Sequence, residues 1–262
     1  MPKIVHVVSM RMPIIDSELF ETNRQELCAY LPDGALAAMR SNLSYPTNAD
    51  ESTRFKQNSN LYYLTGIAQE QTALILFPSA QNPDHREILF VQESDPLTVI
   101  WEGHRLSIEE ARERSGISNV KLAKEFDSIF RQLAVEADLI ALDKNDHPRL
   151  NSDLPTGNDL FIKQVQEWFP LHPLTRLSPI LTELRMRKHP LEVELMQKAW
   201  SITEAGFRRV LSTLRPGMGE WEIEAEYIHE FTKRGSHGFA YSPIVASGAN
   251  ACVLHYLSLI HI

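Results

Sequence analysis

The sequence predicts an α/β fold, and three features carry that prediction. Through roughly the first 175 positions, short apolar runs of strand length alternate with amphipathic helical segments. The connections between them are polar and rich in Asn, Asp, Pro and Ser. From Pro190 the pattern changes to two longer amphipathic helices followed by an extended segment, which marks a second domain.

The elements follow in order. Leu19, Phe20, Leu27, Tyr30 and Leu31 share one face of a first helix, capped by Asp16 or Ser17 and stopped by Pro32-Asp33-Gly34. GALAAM (34–39) reads as a buried strand, and the Ser-, Asn- and Thr-rich stretch 41–59 as an exposed loop. LYYLTGI, TALILF, EILFV and LTVIW (97–101) read as short β runs. Helices near 107–115 and 125–137 then alternate with VKLAKEF and DLIALD. A polar loop (143–157) leads to a helix at 158–168, and FPLHPLTRLSP (169–179) reads as the end of a domain.

Pro190, with Glu192 and Glu194 behind it, opens the next helix. Val193, Met196, Trp200, Thr203, Phe207, Val210 and Leu214 form its stripe, and Arg215-Pro216-Gly217 ends it. A second helix from Glu220 turns Trp221, Ala225, Ile228 and Phe231 inward. Both stripes are expected to be core. FAYSPIVASGANACVLHY, after Gly238, reads as strand, with Ser247-Gly248 permitting close backbone approach.

Composition narrows the function. The 262 residues are 43% hydrophobic and 23% charged, as in folded globular proteins. Twenty-six Lys and Arg against 34 Asp and Glu leave a net charge of −8, which argues against general nucleic-acid binding. No apolar run approaches the roughly 20 residues of a membrane span. The start, MPKIVHVVSMRMPIID, lacks the core of a signal peptide. Cys28 and Cys252 have no metal or disulfide spacing, so both are expected to be small core residues in a reducing cytoplasm. Ten histidines include no HExxH pair, and His229 and His237 are separated by a helix end. There is no G-x-S-x-G elbow and no Gly-rich phosphate loop. Asp153, Asp159 and Glu167 read as solvated carboxylates. The residues alone thus describe an α/β protein without a complete active site.

Four segments carry a resemblance. FKQNSNLYYLTGI (55–67), IWEGHRLS (100–107), LRMRKHPLEVELMQKA (184–199) and the run from Arg215 to Tyr256 follow one another in order. Together they resemble the Xaa-Pro aminopeptidases (aminopeptidase P) of the creatinase/prolidase metallopeptidase superfamily. The third segment carries that family's Arg-x-x-Lys-x-Pro-x-Glu opening, and the fourth ends in its His-Tyr.

The resemblance implies a creatinase-type α/β domain at 14–175 and the start of a pita-bread catalytic domain at 176–256. It implies hydrolysis of the bond after the first residue of peptides with proline second, through a hydroxide bridging two Mn2+ ions. It also implies a proline-containing peptide as substrate and a homo-oligomer, with neither nucleic acid nor membrane as partner. The family's metal ligands, two Asp, one His and two Glu, lie beyond the His-Tyr strand. No metal ligand is therefore assigned here, and this chain is expected to bind no metal and to be inactive alone. LSLIHI (257–262) departs from the family and equals the translation of a transposon-end sequencing adapter, so it is expected to be non-native, as are the residues before Met10 or Met12.

Three matched positions have expected roles. His255 corresponds to a histidine beside the metal centre that binds substrate and donates to the developing oxyanion. Asp50 corresponds to an acid that reaches a substrate site, with a plain solvated carboxylate as the competing reading. Trp101 corresponds to a tryptophan that closes a neighbouring subunit's substrate pocket, with a core aromatic as the competing reading. A different class of function is also open: a non-catalytic peptide- or protein-binding relative of the pita-bread fold. The two long helices are expected to leave apolar surface uncovered, while 14–175 folds by itself.

Overall fold

The computed structural model describes residues 14–93, 99–101, 103–147 and 153–256. The expected non-native tail and the residues before Met10 or Met12 lie outside the described residues. The chain divides into two compact units, one of Ile15–Arg187 and one containing the described residues from Lys188 onward.

In the first unit a six-stranded mixed sheet has the order β4-β3-β2-β1-β5-β6. Its strands are β1 (Ala35–Arg40), β2 (Ala73–Leu76), β3 (Glu87–Val91), β4 (Val120–Leu122), β5 (Leu139–Leu142) and β6 (Leu174–Arg176). β2 pairs antiparallel with β1 and β3, while β1–β5, β5–β6 and β3–β4 are parallel. The central strands are apolar on both faces, as burial between two helix layers requires.

Alternate residues divide the core in two. Ala37, Met39, Leu74, Leu76, Leu89 and Val91 face a layer formed by α1 (Ser17–Tyr30), α2 (Ser59–Thr65), α3 (Ile108–Ser115) and α6 (Ser178–Met186). Leu36, Ala38, Ile75, Ile88, Phe90 and Ile140 face α4 (Phe126–Ala134) and α5 (Gly157–Trp168). There Phe126, Phe130 and Phe161 pack ring on ring with centroids 5.0–5.8 Å apart.

Several expectations are corrected. LYYLTGI falls mainly in α2 rather than in a strand. Asn58 Oδ1 caps the helix by accepting from the Asn60 and Leu61 amides at 2.9 and 3.0 Å, and Gly66 ends it at φ 67°. A cap at one end and a left-handed glycine at the other outweigh the β preference of two tyrosines. Of LTVIW, Val99–Trp101 are helical and the earlier residues lie outside the described set. FPLHPLTRLSP does not end the unit: Leu174–Arg176 adds the edge strand β6, and α6 then buries Leu181 and Leu184 against the sheet. The compact unit closes at Arg187. Asp16 supplies the cap of α1, its carboxylate accepting from the Glu18 amide at 3.0 Å.

The second unit pairs α7 (Pro190–Thr213) with α8 (Glu220–Lys233). Their contact centres on Gly206 and Val210 of α7 and Phe231 of α8. The helices stand where the sequence places them, but the stripe expected to be core is largely exposed. Trp200, Phe207 and Leu214 are 63%, 53% and 56% exposed, because α8 packs on the side of α7 that carries Gly206, and of the stripe Val210 alone is buried there. Trp221 and Ile228 of α8 are exposed as well. Residues 239–256 hold no strand; Gly248–Cys252 form a 3-10 turn, since a strand needs a ladder partner and none stands among the described residues of this unit. Cys252 is exposed rather than core, and both cysteines are free thiols.

Candidate functional site

Of the three residues the sequence singles out, His255 belongs to the second unit and Asp50 and Trp101 to the first. All three are exposed.

His255 stands in a turn with Leu254, directly before Tyr256. The segment leading to it is tied to the first residue of α8. Glu220 Oε1 accepts from the Ser247 backbone N–H at 2.8 Å, from Ser247 Oγ at 3.2 Å and from Asn250 Nδ2 at 3.1 Å. Asn250 Nδ2 donates further to Tyr256 Oη at 3.0 Å. These donors, Asn250 foremost and the Ser247 amide next, hold the Glu220 carboxyl below the ordinary carboxylate range. Glu222, two residues on, accepts from the Gly219 amide at 2.7 Å, while Glu220 turns toward the segment.

Asp50 lies in a tight polar turn closed by the Pro46–Ser52 bridge and by the Thr47 amide donating to the Glu51 carbonyl at 2.8 Å. The preceding residue, Ala49, has φ 50°. Beside this turn a shallow cleft of about 200 Å³ is lined by Asn42, Leu43, Tyr45, Arg54, Lys56 and Thr156. Trp101 is 84% exposed, which removes the core-aromatic reading and leaves its indole available to a partner. The Ser107 side chain accepts from the Glu110 amide at 3.2 Å, while His104 and the Ser107 amide converge on the Glu110 carboxylate, ordering the chain just beyond Trp101.

A deeply buried carboxylate stands outside the residues singled out in the sequence. Asp143, at the end of β5, is 1% exposed. Its Oδ1 accepts from Asn60 Nδ2 at 2.8 Å, and its Oδ2 from Asn58 and Asn158 at 3.1 and 3.0 Å. Arg185 of α6 donates to Asn60 Oδ1 at 2.6 Å. Burial pushes the Asp143 carboxyl above its ordinary range, against the pull of the Asn60 and Asn58 amides. The usable signal was the pair of asparagines before Leu61, polar residues at a helix start that must reach something. Arg24 is equally buried: its Nε donates to Glu87 at 2.5 Å and its Nη1 to the Leu64 and Ser115 carbonyls at 2.8 Å. Both groups join elements that are distant in sequence. Burial, with the Glu87 carboxylate nearby, pushes the Cys28 thiol up to about 11, which disfavours the thiolate.

Among the described residues, no group of three or more His, Cys, Asp and Glu side chains could hold a metal ion. No helix among the described residues is long and apolar enough to cross a membrane.

Comparison with known proteins gives two family matches. The aminopeptidase P N-terminal domain matches residues 20–141, and metallopeptidase family M24 matches residues 194–259. The Xaa-Pro aminopeptidase of Haemophilus influenzae is 29% identical over 245 residues, covering 94% of this chain and 54% of that protein. Among solved structures, Pseudomonas aeruginosa aminopeptidase PepP superposes with TM-score 0.82 at 26% identity, covering 94% of this chain and 55% of that one. Escherichia coli aminopeptidase P in its low-pH form gives TM-score 0.79 at 27% identity, covering 92% and 55%. The chain thus spans about half the length of the relatives it matches.

Proposed function

We propose, for a chain that carries an aminopeptidase P N-terminal domain and part of an M24 metallopeptidase domain, that it is the amino-terminal portion of an Xaa-Pro aminopeptidase acting on peptides with proline second. The observation that carries this reading is the order of the two domains, aligned together over 94% of the chain. An M24 domain implies divalent metal, and the finer expectation is a manganese pair with a bridging hydroxide. The metal ligands that the resemblance implies lie beyond the His-Tyr segment, and on that ground we expect residues 1–262 alone to be inactive.

In this reading His255 supplies a hydrogen-bond donor to the oxygen of the scissile carbonyl as charge develops there. Its exposure on a turn leaves the imidazole open to a substrate. Asp50 and Trp101 belong to substrate access from the amino-terminal domain, Trp101 by presenting its indole to a neighbouring subunit of a homo-oligomer. The tertiary amide of an Xaa-Pro bond has no N–H, so recognition must come from shape and from the carbonyl side.

The test uses Xaa-Pro peptides with this chain and with a longer product that contains it, each with and without added Mn2+. The 262-residue chain is expected to give no turnover, and the longer product to cleave after the first residue. His255→Ala in the longer product should lower kcat by about 100-fold or more, the usual cost of losing one oxyanion donor. Tight peptide binding without turnover by the longer product would favour the non-catalytic binding relative instead.

A further inference from the structure

At the start of α8 it is Glu222, not Glu220, whose carboxylate accepts from the Gly219 amide, and Glu220 Oε1 is turned to the segment 247–256 instead. One of its oxygens gathers both polar groups of Ser247 and the side-chain amide of Asn250, and the same amide reaches Tyr256, the neighbour of His255. A segment without a strand ladder is thereby held at two places, once near its middle and once beside the histidine. A short 3-10 turn spans them, and the Val253 amide donating to the Asn250 carbonyl at 3.0 Å keeps that turn closed.

We propose that Glu220 is a positioning residue for His255, acting through Asn250 and Tyr256. The inference rests on the aminopeptidase reading for what His255 does, and on the hydrogen bonds of this structure for how it is held. An acceptor at Oε1 is what the arrangement needs, because every partner is a donor. Gln at this position keeps an acceptor oxygen and loses the charge, whereas Ala removes both. The order of retained positioning is therefore Glu, then Gln, then Ala. The carboxyl's depressed affinity for protons agrees with an anion surrounded by donors.

The test uses the intact 262-residue chain, with hydrogen exchange at the Ser247 amide and the NMR signals of the His255 ring as readouts. E220A is expected to speed exchange at Ser247 by about tenfold or more, the loss of one charge-assisted hydrogen bond, and to shift the His255 ring signals. E220Q should fall between E220A and the unaltered chain. N250A leaves the helix start untouched and should displace the His255 signals in the same sense, which separates positioning from a general loss of α8. Unchanged Ser247 exchange and His255 signals in E220A, with α7 and α8 intact, would overturn the proposal. So would a His255 shift in E220A that N250A fails to reproduce. Neither readout requires turnover, so a failure of the longer product to cleave Xaa-Pro peptides counts against the functional reading and not against this linkage.

Discussion

Asp143 shows how a single side chain can set the geometry around it. Its three amide donors cannot turn over to suit a different partner, because each asparagine oxygen is already taken. Asn58 Oδ1 accepts from the start of α2, Asn60 Oδ1 from Arg185, and Asn158 Oδ1 from the Arg40 amide at 2.8 Å. D143N would set an NH2 group against donors that have no alternative. We expect it to lower stability by about 2 kcal/mol, the cost of buried donors left without an acceptor, read as a lower urea midpoint at unchanged m. The pH dependence has a definite sign. A carboxyl whose folded pKa is raised contributes stability below its unfolded pKa and loses it as pH climbs through the raised value. The gap between the native chain and D143N should accordingly be widest in acid and narrow toward neutral pH. A gap that widened with rising pH would show that the amides, not burial, dominate this carboxyl.

At the scale of elements, α5 is placed by its first turn. Thr156 caps it through the Asp159 amide at 3.2 Å, with Asp159 returning an acceptor to the Thr156 amide at 2.9 Å. Gly157 follows, where an added Cβ would meet the Ser41 carbonyl oxygen at 2.1 Å. The obstacle is backbone and cannot swing aside, so G157A should cost about 1–3 kcal/mol despite alanine's better helix propensity. T156A, which removes only the cap, should cost about 1 kcal/mol; comparing the two urea midpoints checks the order. Such first turns were partly legible in the sequence. The strands TALILF, EILFV and DLIALD and the helices α1, α3, α4, α5, α7 and α8 stand where apolar period and caps place them. LYYLTGI misled because a seven-residue helix is too short to display a period, and its β-rich composition filled the gap. The strand β6 was hidden by prolines and by residues that are all exposed at a sheet edge. For the site, His255 and Trp101 were reachable only through motif resemblance. Glu220 and Asn250 act across 30 positions, a separation that no local pattern encodes.

Across the whole molecule the two units differ in how they dispose of apolar surface. In Ile15–Arg187 both faces of the sheet are covered and the helices turn their buried residues to it. A unit closed in this way should fold by itself, and expression of 15–187 should give one cooperative urea transition. In the second unit, α7 and α8 hide Val210 and Phe231 but leave Trp200, Phe207, Leu211, Leu214 and Trp221 more than half exposed. Residues of this size clustered along one helix pair exceed the scattered apolar exposure of an ordinary surface. The 262-residue chain is therefore expected to bind an apolar dye such as ANS and to show an additional concentration-dependent association that 15–187 lacks. Trp200→Asp and Phe207→Asp should each weaken that association by about 1.5–3 kcal/mol, roughly ten- to a hundredfold, the worth of one large side chain withdrawn from water. Dye fluorescence and sedimentation of the four proteins across a range of concentrations make the comparison. Equal dye binding by 15–187 and the full chain would place the exposed surface in the wrong unit. Association untouched by either substitution would show that the stripe on α7 is not what drives it.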